Sequence, residues 1–222
     1  MAGTVQAHTF RSRDLVGGHV VVDLVNTVTA RDAEPVDWLD GYPRLLEWAA
    51  LTGEFDPVVL GDLRRLAETD PGQAAAALER TRELREAVHD LLTALIRQEA
   101  PAPAAAVGRV ESHWKQAAAG ARLTVRGNTP LLETGVETSG LDHLHDELAL
   151  RALDLLRSLP LERTRVCPGP RCGWVFIDRS RGGRRRWCDM ATCGNLAKGR
   201  THYQRKRHTT SRQDPHRPPG GQ

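Results

Sequence analysis

CPGPRCGWVFIDRSRGGRRRWCDMATC, residues 167–193, contains all four cysteines of the chain, spaced C-x4-C, then fifteen residues, then C-x4-C. Each close pair makes a half-site, and the segment between them brings the halves together, which is the pattern of a tetrahedral metal centre. A reducing cytosol argues against disulfides for the same residues. The first half-site, CPGPRC, carries the glycine and prolines of a tight knuckle. WVFID and RRRWC read as two short strands joined by the turn RSRGG, and NLAKGRTHYQRKR beyond the second half-site reads as a helix. Knuckle, hairpin, knuckle and helix in that order predict a treble-clef-like module around one Zn2+ held by Cys167, Cys172, Cys188 and Cys193. An iron-sulfur cluster also accepts four thiolates, but the two-plus-two spacing and the flanking hairpin fit zinc better.

Four thiolates close the coordination shell and leave no position for water, so this zinc is expected to be structural. The module's apolar inventory, chiefly Trp174, Val175, Phe176, Ile177 and Trp187, is small for an unaided core. Metal binding should therefore fold it, and metal loss should unfold it while the N-terminal domain stays folded.

Working outward, the 222 residues allow one ordinary core plus a small appendage. Upstream of the cysteines the chain reads as mainly helical. Val21, Leu24, Val25 and Val28 follow a helical period, although the valine run also fits a strand. Pro43 opens RLLEWAALTG, closed by Gly53, and Asp56 caps a helix that starts at Pro57. Leu84, Val88, Leu91 and Leu95 form one stripe of a long helix over residues 73–98. After Pro101 and Pro103 the alanine-rich residues 104–119 resume helix. ARLTV and LLETGV flank a bend at Gly127 and Asn128, a β-hairpin, and residues 141–159 give a last amphipathic helix. The expected class is α+β: a mainly helical N-terminal domain with a minor hairpin over 1–160, the zinc module over 161–208, and a disordered tail over 209–222.

Charge divides along the same line. From Arg163 to the C-terminus there are 15 Lys and Arg against 3 Asp and Glu, whereas the preceding part holds 16 against 25. A zinc centre loaded with four thiolates contributes −2, so the basic part keeps a charge of about +10 and attracts polyanions. Its candidate nucleic-acid contacts are Arg179, Arg181, Arg184, Arg185 and Arg186 in the hairpin, then Lys198, Arg200, His202, Arg205, Lys206 and Arg207. Lys198, His202 and Arg205 share one helical face, and guanidinium forks suit phosphate and guanine edges. Trp174 and Trp187 read as module core rather than base-stacking platforms. DNA is the expected partner. RNA binding, or a protein-interaction adaptor using the finger, is the alternative.

Asp23, Asn26 and Arg31 place polar groups in or beside an apolar run, either as the lining of a small-molecule pocket or as structural caps and hydrogen-bonding groups. His143 and His145 point away from each other on a helix and do not make a second metal site. No nucleophile motif, phosphate loop or carboxylate pair stands out, so no enzymatic activity is expected. The first apolar run, HVVVDLVNTV, is short and interrupted, so no membrane partner and a cytoplasmic location are expected. A homodimer and an unidentified small-molecule effector complete the partners considered.

At residues 167–195 the sequence resembles the CGNR zinc-finger family, matching at Cys193, Gly194 and Asn195 and departing at Leu196, where the family has arginine. VDLVNT at Val22–Thr27, DWL at Asp37–Leu39 and TRELREAV at Thr81–Val88 resemble the ABATE domain that precedes such fingers. The resemblance implies a stress-related transcriptional regulator with the finger as its DNA-binding part.

Overall fold

In the computed structural model, residues 4–99 and 104–199 are described. The described residues open with β1 (Thr4–Val5) and reach α1 (Val20–Val25), whose N-terminus is capped by His19 accepting from Val21 N–H. The ambiguous valine run is thus helical, and Val21, Val22 and Leu24 are fully buried. Two short strands follow, β2 (Val28–Thr29) and β3 (Val36–Asp37). β3 lies between the other two, parallel to β1 and antiparallel to β2.

α2 (Tyr42–Thr52) ends on Gly53 in the left-handed region, and α3 (Pro57–Thr69) begins after the Asp56 cap, where Oδ1 accepts from Val58 N–H. α4 (Pro71–Ile96) is the axis of the domain, with Leu84, Val88 and Leu92 fully buried along it. α5 (Ala104–Gly120) packs beside it, and the expected hairpin is β4 (Arg122–Arg126) against β5 (Thr129–Glu133). After the short α6 (Val136–Ser139), α7 (His143–Ser158) closes the bundle through Leu144, Leu148 and Ala152.

The three stretches that carried the N-terminal resemblance meet in one buried network. Arg85, 3 % exposed, forks onto Asp37 through Nη1 at 2.8 Å and Nη2 at 2.7 Å, and Nη1 also donates to Thr27 Oγ1 at 3.1 Å. Arg82 donates to the Leu39 carbonyl. Beside them Arg31 forks onto Glu86 at 2.6 and 3.2 Å. Burial by itself would raise the Glu86 carboxyl, but Arg31, with Arg85 behind it, brings it down to about 2.

Strand pairing in the zinc module differs from the expected hairpin. β6 (Thr164–Val166) pairs antiparallel with β7 (Val175–Ile177), so the first knuckle is itself the hairpin's tip. RRRW at 184–187 forms no strand. β7 also divides its side chains between two cores. Phe176 points to the cysteines, while Val175 and Ile177 join the helical core. The module is not self-contained, because period-2 alternation places two of its five apolar residues in the neighbouring domain.

Candidate metal centre and basic surface

Hairpin β6–β7 presents Cys167 and Cys172 from its tip, closed by Cys167 N–H donating to the Trp174 carbonyl at 2.7 Å. The second pair comes from a loop and the helical turn that follows. Asp189 caps that turn, accepting from the N–H groups of Ala191 and Thr192, and helical geometry continues over 195–199. All four thiols are buried and lie within 4.8 Å of one another.

Cys188 Sγ lies 3.6 Å from both Cys172 Sγ and Cys193 Sγ. Sulfurs about 2.3 Å from a central zinc define a tetrahedral edge of about 3.8 Å, whereas a disulfide holds its sulfurs at about 2.05 Å. The spacing fits a metal and excludes disulfide pairing in this state. Backbone N–H groups of Gly169 and Cys188 approach Cys167 Sγ at 3.4 Å, the outer contacts that fix a thiolate ligand. Gly169 is required by closeness: a Cβ there would lie 2.7 Å from Cys193 Sγ and 3.3 Å from Cys167 Sγ.

Acidity points the same way. Mutual hydrogen bonds pull Cys167 below the ordinary thiol value and push Cys172 and Cys188 above it, so the sulfurs compete for protons. Four thiolates coexist only around a cation, which a divalent ion supplies. These residues bind one Zn2+ as a closed set of four thiolates.

The module is fastened to the helical domain at several points. Asn26, 2 % exposed, donates to the Val175 carbonyl at 2.8 Å and accepts from Val175 N–H at 2.9 Å. Ile177 N–H donates to the Gly17 carbonyl at 2.9 Å. Trp38 meets Trp174 edge-on at 5.5 Å and stacks on His8 at 3.7 Å. A Cβ at Gly173, where φ is +70°, would lie 3.0 Å from Arg31 Cβ, so the knuckle rests on that arginine.

The structure does not bring Asp23, Asn26 and Arg31 into one pocket. Asn26 is the fastener just described, and Arg31 lies under the knuckle on Glu86. Asp23 faces a separate cavity, beside Arg179. Its carboxylate accepts from Gly17 N–H at 2.8 Å, and burial pushes it up to about 6 against the influence of that bond and of Arg179. His145 and His113 touch across α7 and α5 at 2.9 Å, with Asp146 on the other ring nitrogen of His145.

Among the predicted nucleic-acid contacts, Arg179, Arg181, Arg184, Arg186 and Lys198 are exposed. Arg185 is not free for this role. Its guanidinium donates to the carbonyls of Trp187, Val16 and Cys188 and lies 4.6 Å over the Phe176 ring. Arg200, His202, Arg205, Lys206 and Arg207 lie outside the described residues, as does the tail at 209–222. Sequence reasoning missed Asp178, fully buried, whose carboxylate accepts from the N–H groups of Ser180 and Arg185 and shapes the arginine loop. The signal was present, since Asp-x-Ser before a Gly-Gly pair favours a side-chain-closed turn. Arg171 is exposed on the knuckle.

Fold and site together define a zinc-finger protein in which a four-cysteine module is fused to a helical domain. Residues 163–206 match the family model for the CGNR zinc finger, and residues 18–159 match that for ABATE, described as "Putative stress-induced transcription regulator". The chain belongs to the ABATE family and carries a CGNR finger after that domain. A search of curated proteins finds no match. Among the described residues no helix is long and apolar enough to cross a membrane.

Proposed function

We propose that the protein is a non-enzymatic transcriptional regulator of the cytoplasm that contacts duplex DNA through its zinc module. The observation that carries this reading is the loop between β7 and Cys188, where Arg181, Arg184 and Arg186 project into solvent from a backbone anchored by buried Asp178 and by Arg185. Exposed guanidinium groups on a rigid frame suit phosphate contacts, and the surplus of basic residues after Arg163 supplies the long-range attraction. Arg171 and Lys198 are further exposed basic residues of the module. Zinc acts here as a folding device for that frame and performs no chemistry, because its four thiolate ligands leave no open position.

Fluorescence-anisotropy titration of the zinc-loaded chain with duplex DNA and with RNA across a salt series tests the proposal. Duplex preference and, for about five phosphate contacts, a log-log salt slope near −4.5 are expected. Equal affinity for the two nucleic acids, or none for either, overturns it. A sequence selection on random duplexes would then define the site.

A further inference from the structure

Where the zinc module meets the helical domain, a cavity of about 360 Å³ opens between the start of α1, the α2–α3 loop, α7 and the end of β7. It lies near the low end of the roughly 300 to 1,000 Å³ typical of small-molecule sites. Its charged and titratable lining is His19, Asp23, Glu54, Arg151, Asp154 and Arg179. Arg151 is engaged, donating to Glu54 Oε2 at 3.2 Å and to Glu147 Oε2 at 3.4 Å. Arg179 and Asp154 are not: among the described residues neither side chain makes a hydrogen bond or an ion pair. Gly18, whose φ of +85° favours glycine, lies next to Arg179 on the rim, where a Cβ would stand in ordinary contact, 3.5 Å, with the arginine Nε. His19 Nδ1 accepts from Val21 N–H at 3.2 Å, which leaves the proton on Nε2 as a donor.

A ligand with only negative charge would meet three carboxylates. One with only positive charge would leave the Arg179 guanidinium without a hydrogen bond, and would compete with it for the neighbouring Asp23 carboxylate. We propose that this cavity binds a small zwitterion of the α-amino-acid class, its carboxylate on Arg179 and its ammonium between Asp154 and Asp23. The site spans the seam: Arg179 belongs to the zinc module, and Asp23 holds Gly17, whose carbonyl receives Ile177 N–H of β7. Occupancy therefore bears on how the module is seated. The inference is independent of the nucleic-acid reading, because the ligand is assayed without DNA.

The experiment is thermal-shift and calorimetric titration of the full zinc-loaded chain with the proteinogenic L-amino acids, one at a time at millimolar concentration. Propionate, propylamine and inorganic phosphate serve as single-charge probes. At least one amino acid should raise Tm and give a saturating isotherm while the single-charge probes do neither. Arg179→Ala should abolish the response, and Asp154→Asn should weaken it by about tenfold or more, the loss of one charged hydrogen bond. Both residues are exposed, so unliganded Tm and zinc content should be unchanged, which separates lost binding from lost folding. Silence from every amino acid, an equal response to propionate, propylamine or phosphate, or full binding by Arg179→Ala overturns the proposal.

Discussion

The Asn26 side chain and the Val175 backbone form a closed pair of hydrogen bonds, at 2.8 and 2.9 Å, so a helix-end carboxamide takes the place of a neighbouring strand on the inner edge of β7. Asn26→Ala leaves a buried N–H and a buried carbonyl without partners. A buried unsatisfied group costs about 1–3 kcal/mol, so a loss of about 2–4 kcal/mol is expected. In a chain of this size that is a fall of several degrees in Tm. Calorimetry of the zinc-loaded variant measures it, and an unchanged Tm would mean that water replaces the side chain at no cost.

Removing the metal should reach further than the module. Val175 and Ile177 belong to the helical core, and β7 is held by Asn26 and Gly17. Cys188→Ser, or chelation, should lower the unfolding temperature of the helices and speed hydrogen exchange in α1, which contacts β7. The two-part reading of the sequence expects the opposite, an N-terminal domain indifferent to zinc. An α1 exchange rate unchanged by chelation would restore that reading.

This difference shows where sequence reading stopped. The helices were legible because their stripes are local: Leu84, Val88, Leu91 and Leu95 declare a face without knowledge of any neighbour. Zinc ligation was legible because four cysteines in two pairs have few other uses. The strand partner of VFI was not, since RRRW offered a nearer match than TRV, and choosing between them depends on where Val175 and Ile177 find a core. Nor was the meeting of Asp37 with Arg85, which is a long-range contact. Asp23, Asn26 and Arg31 stand out in the sequence as polar residues in or beside an apolar run, yet only the packing separates a fastener from a cavity wall.

Two adjacent arginines should behave differently. Arg185 donates to three carbonyls and covers Phe176, whereas exposed Arg186 lies 5.0 Å over the Trp187 ring. Arg185→Ala should lower stability by about 1.5–3 kcal/mol and loosen zinc, read by competition with a chromophoric chelator. Arg186→Ala should leave both nearly unchanged and instead weaken binding to duplex DNA, with a shallower salt dependence. Equal effects of the two substitutions on zinc retention would remove the distinction between a frame residue and a contact residue.

Asp23 gives a pH signature with a definite sign. Its folded-state value of about 6 lies above the ordinary 3.8, burial being the main cause. A raised carboxyl favours the protonated folded state, so its unfavourable contribution is absent below about pH 3.8, grows between there and about pH 6, and is complete above. Asp23→Asn keeps an oxygen for Gly17 N–H and removes the charge. The variant should therefore be more stable than the native chain at neutral pH, by roughly 1–3 kcal/mol. That advantage should close as pH falls from about 6 to about 3.8. The opposing titrations of Glu86, held at about 2, and His113, lowered by burial to about 4, are common to both proteins and cancel in the difference. Urea unfolding of the pair at a series of pH values checks it. A difference independent of pH would mean that the gain comes from packing and that the carboxylate is not ionised against its burial.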